Sequence, residues 1–149
     1  MRRTAWRTVL SGADAGLGYG TLEIWPWNDN YREGQKMQGL LNPYDWRECL
    51  KFRGAKDVGL LKEIIMTYAQ NGLTPITLNS SEINVAESEE YLLVYNPVAN
   101  PVNLSELKIK NKKCKVIDLN NLRVLHSTIN NGVVPMMPVL EDELIIIHK

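Results

Sequence analysis

Apolar residues recur at helical spacing in two places in the first half of the chain. Trp6, Val9, Leu10 and Ala13 stand at i, i+3, i+4 and i+7 and predict a short helix over 3–13, ended by Gly16, Gly18 and Gly20. Leu60, Leu61, Ile64, Ile65 and Tyr68 make one stripe of a second helix over roughly 56–71, with Lys62, Glu63, Thr67 and Gln70 on the opposite side. Asn71-Gly72, followed by Pro75, is a helix-stop signal. Between the two helices, 19–27 reads as one buried strand stopped by Pro26. A long polar and aromatic connection, 28–53, follows it; loops of that length usually serve a site or a larger assembly.

From residue 76 the pattern is β throughout. Six strands are predicted: Ile83–Val85, Tyr91–Tyr95, Lys113–Asp118, Leu122–His126, Val133–Val139 and Glu143–His148. Turn signals at Glu89-Glu90, Asn96-Pro97, Asn120-Asn121, Asn130-Asn131-Gly132 and Glu141-Asp142 separate them. Short strands at this spacing predict a small sandwich or barrel, with Leu144–Ile147 as an interior strand. The five lysines between Lys108 and Lys115 interleave no aromatics and read as a solvated hairpin edge.

Composition divides the chain at the same place. All four tryptophans lie in the first 46 residues, and nine of the ten glycines precede position 73. A domain boundary is therefore expected near Thr74-Pro75, giving units of 1–75 and 76–149. The balance of 17 basic against 17 acidic residues argues against disorder and lacks the footprint of a nucleic-acid or acidic-membrane binder. No apolar run approaches the ~20 residues needed to cross a bilayer. Arg7 and Asp14 interrupt what would otherwise be a leader after Met1-Arg2-Arg3, so no signal peptide is expected. Cys49, Cys114, His126 and His148 are too scattered for a metal cluster, and Gly16-x-Gly18-x-Gly20 precedes a strand instead of following one. Neither a metal nor a cofactor is expected.

One strand cannot make a sheet, and the edges of 19–27 have no partner within the first half. Its parity puts Tyr19, Thr21, Glu23 and Trp25 on one side and Gly20, Leu22 and Ile24 on the other. A parallel strand with polar and aromatic residues inside and apolar ones against helices suits the end of a (β/α)8 barrel, whose strand tips reach the active-site mouth. The expected fold class is α+β: the terminal βα unit of an incomplete barrel, then a small antiparallel β-sandwich.

The run Ala13–Trp27 (ADAGLGYGTLEIWPW), preceded by Arg3 and Trp6, resembles the last barrel strand of apiosidase-like glycoside hydrolases. Asp45-Trp46-Arg47-Glu48-Cys49-Leu50, then Gly54-Ala55 and Leu60-Leu61, is similar to that family's lead into its final helix. Tyr91–Pro97 resembles the appended β-sandwich, a domain class labelled collagen-binding. The resemblance implies the C-terminal part of a longer bacterial hydrolase whose catalytic carboxylates lie on earlier strands, so no catalytic residue is assigned here. It also implies a carbohydrate ligand for the complete enzyme, and an upstream barrel segment or self-association to cover apolar faces.

Four residues are the candidate substrate contacts. Trp25 and Trp27 could stack on sugar faces or simply pack. Glu23 could serve as a general acid, with Asp29 as a second carboxylate, or as a buried ion pair or sugar hydrogen bond. Tyr31, with Arg32 and Tyr44, has the chemistry to bind hydroxyls, while Trp46 and Phe52 read as anchors for the long loop. The alternative function is a non-catalytic β-sandwich module that buttresses a barrel or binds polysaccharide.

Overall fold

The computed structural model describes residues 1–21, 24, 27, 44–79 and 82–149. Three helices come first: α1 (Arg2–Leu10), α2 (Trp46–Cys49) and α3 (Arg53–Tyr68). Eight strands follow, β1 (Thr74–Ile76), β2 (Asn84–Glu87), β3 (Tyr91–Asn96), β4 (Val102–Asn103), β5 (Lys113–Asp118), β6 (Arg123–Thr128), β7 (Val133–Val134) and β8 (Glu143–His148). Six of them form one antiparallel sheet in the order β1-β2-β3-β8-β5-β6, and β4 pairs with β7 in a second, two-stranded sheet.

The C-terminal strand is the spine. β8 lies between β3 and β5, and Glu143 to Ile147 are all buried, as Leu144–Ile147 predicts for an interior strand. Its alternation divides the core in two. Ile145 and Ile147 join Val94, Val116, Leu104 and Val134 on the face covered by the small sheet. Leu144 and Ile146 join Trp6, Leu10, Leu61, Ile64, Leu93 and Tyr95 on the face covered by α1 and α3. The two helical stripes read from the sequence are thus the surfaces that close the second cluster, and Lys62, Glu63, Thr67 and Gln70 face outward.

Local chemistry sets the helix ends. α1 stops at Leu10, earlier than the expected position 13, because Gly12 takes φ +93 and sits so near Pro75 that a Cβ would fall 2.8 Å from its Cγ. Asp45 caps α2, its carboxylate accepting from the Arg47 amide at 2.8 Å. Pro75 lies in β1, an edge strand, where the missing N–H is tolerated.

Several expectations need correction. The strand over 19–27 is not found at its described positions: Tyr19, Gly20 and Thr21 are irregular, and Ile24 and Trp27 close successive turns onto Thr21 and Ile24. Trp27 has φ +51, which no strand residue adopts. The strand 133–139 shrinks to Val133–Val134, since Pro135 and Pro138 cannot donate to a ladder. The Lys113–Lys115 stretch is not an edge: β5 is flanked by β8 and β6, and β6 is the edge. The 28–53 connection holds α2, and β1 and β4 went unforeseen. Among the described residues, no helix is long and apolar enough to cross a membrane.

Candidate functional site

Aromatic rings gather around α2 and the first turn of α3. Trp27, 64% exposed, meets Trp46 edge-to-face with ring centroids 4.9 Å apart. The Arg47 guanidinium lies 4.5 Å from the Trp46 ring centroid, a cation–π stack. Tyr44 and Phe52 form a second edge-to-face pair at 5.1 Å, with the Tyr44 ring exposed. A Cβ on Gly54 would fall 2.6 Å from Tyr19 Cε2, so only glycine lets Tyr19 lie this close to α3. Trp27 is thus held by the first residue of the helix that Asp45 caps, and Tyr19 and Tyr44 by Gly54 and Phe52 at the start of α3.

Of the four candidate contacts, Trp27 is on this patch. Trp25, Glu23 and Tyr31, together with Asp29 and Arg32, lie outside the described residues. Trp46 and Phe52, read as anchors, do each hold an exposed ring. What the patch can do is stack: Trp27 offers apolar ring surface beside a cation, with the Asp45 carboxylate 3.5 Å from Arg47 Nη1.

The carboxyl groups whose pKa is displaced stand elsewhere, at the end of the sheet nearest the N-terminus of α1. Arg2 Nη2 donates to Asp142 Oδ2 at 2.6 Å and to Asn120 Oδ1 at 2.6 Å, and its Nη1 donates to the Leu119 carbonyl at 3.1 Å. Arg53 Nη2 donates to the carbonyls of Leu119 and Asn120 at 2.7 and 2.8 Å, and its Nε donates to Asp57 Oδ1 at 2.9 Å. Tyr95 Oη donates to Asp142 Oδ1. Burial alone would raise the Asp142 carboxyl, but the hydrogen bonds from Tyr95 and Arg2 outweigh it and hold the group below its ordinary range. The same burial, together with Asp142, pushes the Tyr95 phenol up.

Glu143 and Asp118 lie on the opposite face of that end. Glu143 is buried; its Oε1 accepts from Asn96 Nδ2 at 2.7 Å, and its Oε2 has no partner among the described residues. Burial, helped by the charge of Asp118 and opposed by Asn96, pushes its carboxyl up. Burial also works on Asp118, yet bonds from Asn121, Arg123 and the Asn120 amide win and pull it down. A raised carboxyl is what a general acid needs, but Glu143 is sealed in the sheet at 1% exposure, out of reach of any substrate. These groups are structural. Sequence reasoning missed them, because their partners are far apart along the chain. Among the described residues, no three His, Cys, Asp or Glu side chains are grouped to hold a metal ion.

Residues 1–71 match the family model of the Apiosidase-like catalytic domain. No curated protein matches the chain. Among solved structures, a protein described as a glycoside hydrolase is 18% identical with a TM-score of 0.54, aligned over 76% of this chain and 30% of its own. A glycoside hydrolase family 5 protein from Bacteroides vulgatus is 19% identical with a TM-score of 0.53, aligned over 70% of this chain and 26% of its own. At these identities the likeness is one of fold. Coverage of 76% is more than the first 71 residues can supply, so the shared fold takes in part of the sheet. The chain spans less than a third of either of those proteins. Residues 1–71 are thus similar to the catalytic domain of apiosidase-like glycoside hydrolases, the family that Ala13–Trp27 and Asp45–Leu50 resemble.

Proposed function

We propose that the chain is the C-terminal portion of a carbohydrate-active hydrolase, with residues 1–75 ending a (β/α)8 barrel and 76–149 forming an accessory β-sandwich. The observation that carries this reading is the match of 1–71 to a catalytic domain, together with solved structures similar to this chain that are more than three times as long as the aligned part. In the complete enzyme, two carboxylates outside this chain cleave an O-glycosidic bond by acid/base chemistry. Trp27, seated on Trp46, forms part of the cleft wall with Glu23, Trp25 and Tyr31. A hollow of about 510 Å³ between the end of α1, Gly12–Leu17 and α3 supports the same reading. Its walls include Val9, Leu17, Val58, Leu61 and Ile65, an apolar face that a longer barrel would cover.

The sheet unit serves as the buttress of those helices. The cluster joining Trp6, Leu10, Leu61 and Ile64 to Leu93, Tyr95, Leu144 and Ile146 favours this role. The test is an assay of the purified chain against a panel of aryl glycosides and plant polysaccharides. No turnover is expected; robust turnover abolished by Glu23→Gln would overturn the assignment of the catalytic pair to another part of the enzyme.

A further inference from the structure

The β half has two tyrosines, Tyr91 and Tyr95, and no tryptophan, a poor sugar platform by composition. The fold changes that. Tyr91 meets Tyr68 of α3 edge-to-face at 5.1 Å, and His148 of β8 edge-to-face at 5.1 Å, making a three-ring row from three separate elements. Lys115 Nζ donates to Tyr68 Oη at 2.7 Å and fixes that ring. The seam beneath is equally fixed: Ser88 Oγ donates to the Tyr68 carbonyl at 2.6 Å and accepts from the Tyr91 amide at 3.1 Å.

Beside the rings is a hollow of about 230 Å³ between the end of α3 and the β2–β3 turn, lined by Tyr68, Asn71, Ser88, Glu89, Glu90 and Tyr91. A second, of about 460 Å³, shares Asn71, Ser88 and Glu89 with it and runs on to Glu87 and Lys149. The first is smaller than the ~300 Å³ at which drug-sized pockets begin, the scale of one sugar ring. The second gives room for a neighbouring residue. On the shared rim Asn71 Nδ2 donates to Glu89 Oε2 at 3.0 Å, which holds the two planar side chains side by side, each with further hydrogen-bonding capacity for hydroxyls.

We propose that this seam is a binding subsite for a neutral saccharide, with the sugar against the Tyr68–Tyr91 rings and its hydroxyls on Asn71, Glu89 and Glu90. Charge selects the class: Glu87, Glu89 and Glu90 outnumber the two cations described here, Lys149, which Glu87 already holds at 3.1 Å, and Lys115, which is bonded to the Tyr68 hydroxyl at 2.7 Å. A uronate would meet net repulsion. The choice of carbohydrate as ligand rests on the hydrolase reading, but the seam is separate from the Trp27 patch.

The test is amide and side-chain NMR of the labelled 149-residue chain, titrated separately with D-galactose, D-xylose and D-glucuronate. Saturable shifts at millimolar sugar, confined to residues 68–71 and 88–91, are expected for at least one neutral sugar and not for glucuronate. Asn71→Ala and Glu89→Ala, both on the exposed rim, should weaken that binding by about tenfold with the rest of the spectrum unchanged. No saturable shift at the seam with either neutral sugar, an equal response to glucuronate, or full affinity in both variants would overturn the proposal. Shifts around Trp27 and Trp46 without shifts at the seam would overturn it too, while leaving the hydrolase reading in place.

Discussion

Arg2 and Asp142 stand 140 residues apart in sequence and 2.6 Å apart in space. Both side chains are almost wholly buried, and Asp142 holds a left-handed backbone conformation at φ +54. The pair joins the first turn of α1 to the turn that feeds β8. Removing one partner leaves the other charge buried with only a longer ionic contact, Arg2 with Asp57 at 3.6 Å or Asp142 with Arg3 at 3.7 Å. Asp142→Asn keeps the shape and tolerates positive φ, so it isolates the charge. We expect it to cost about 3 kcal/mol in urea unfolding, with Arg2→Met costing as much and the double variant less than their sum.

The buried carboxyl groups at this sheet end respond oppositely to acid. Asp142 and Asp118 sit below their ordinary value of 3.8 in the fold, so each adds stability above that pH and loses it as the pH falls through the folded value. Glu143 sits above its ordinary 4.5, so its contribution is complete below that pH and disappears as the pH rises through the folded value. Glu143→Gln should therefore match the parent in acid and exceed it near neutrality, with the gap opening above pH 4.5. Thermal unfolding followed across pH measures this. A variant less stable than the parent near neutrality would show that the buried carboxylate has a favourable partner.

Periodicity made much of the fold legible. The stripe Leu60–Tyr68, the β pattern of Lys113–Asp118 and the continuous apolar run Leu144–Ile147 are local signals, and they match α3, β5 and β8. Two-residue strands such as β4 carry too little pattern to be read, and Pro135 and Pro138 look like breaks inside a strand until pairing shows where it stops. The pattern of 19–27 predicts a strand while its described positions are irregular or turns, because alternation alone does not supply a partner strand. Of the candidate site, the ring types in Trp27, Trp46 and Tyr44 were visible and their pairing was not. Neither Arg2–Asp142 nor the Tyr68–Tyr91–His148 row leaves any mark on local sequence, since each is a product of topology.

Gly132 offers a sharp steric test of the small sheet. It lies in the turn between Asn130 and Val133 with φ +83, and its carbonyl accepts from the Leu104 amide at 2.7 Å. A Cβ there would fall 2.8 Å from Ser105 Cα and 3.1 Å from Ser105 N, backbone atoms that cannot rotate away. Gly132→Ala should cost about 2 kcal/mol or more, from positive φ and overpacking together. Chemical denaturation reads it, and a cost under about 0.5 kcal/mol, the range of ordinary surface changes, would mean that the β4–β7 layer yields.

Gly59 is the opposite case. It lies inside α3 on the wall of the hollow by Leu17 and Val58, and a Cβ added there meets nothing within 4 Å. Glycine in a helix interior costs about 1 kcal/mol against alanine, so Gly59→Ala should stabilise the purified chain by about that amount. A bare helix face gives no reason to keep this glycine; close approach by another element would. The same substitution made in a hydrolase whose remaining barrel covers this face should lose the gain, because the new methyl group would then overpack a filled contact. Melting temperatures of the two pairs decide it: equal stabilisation in both contexts would mean that the barrel does not close over α3 here.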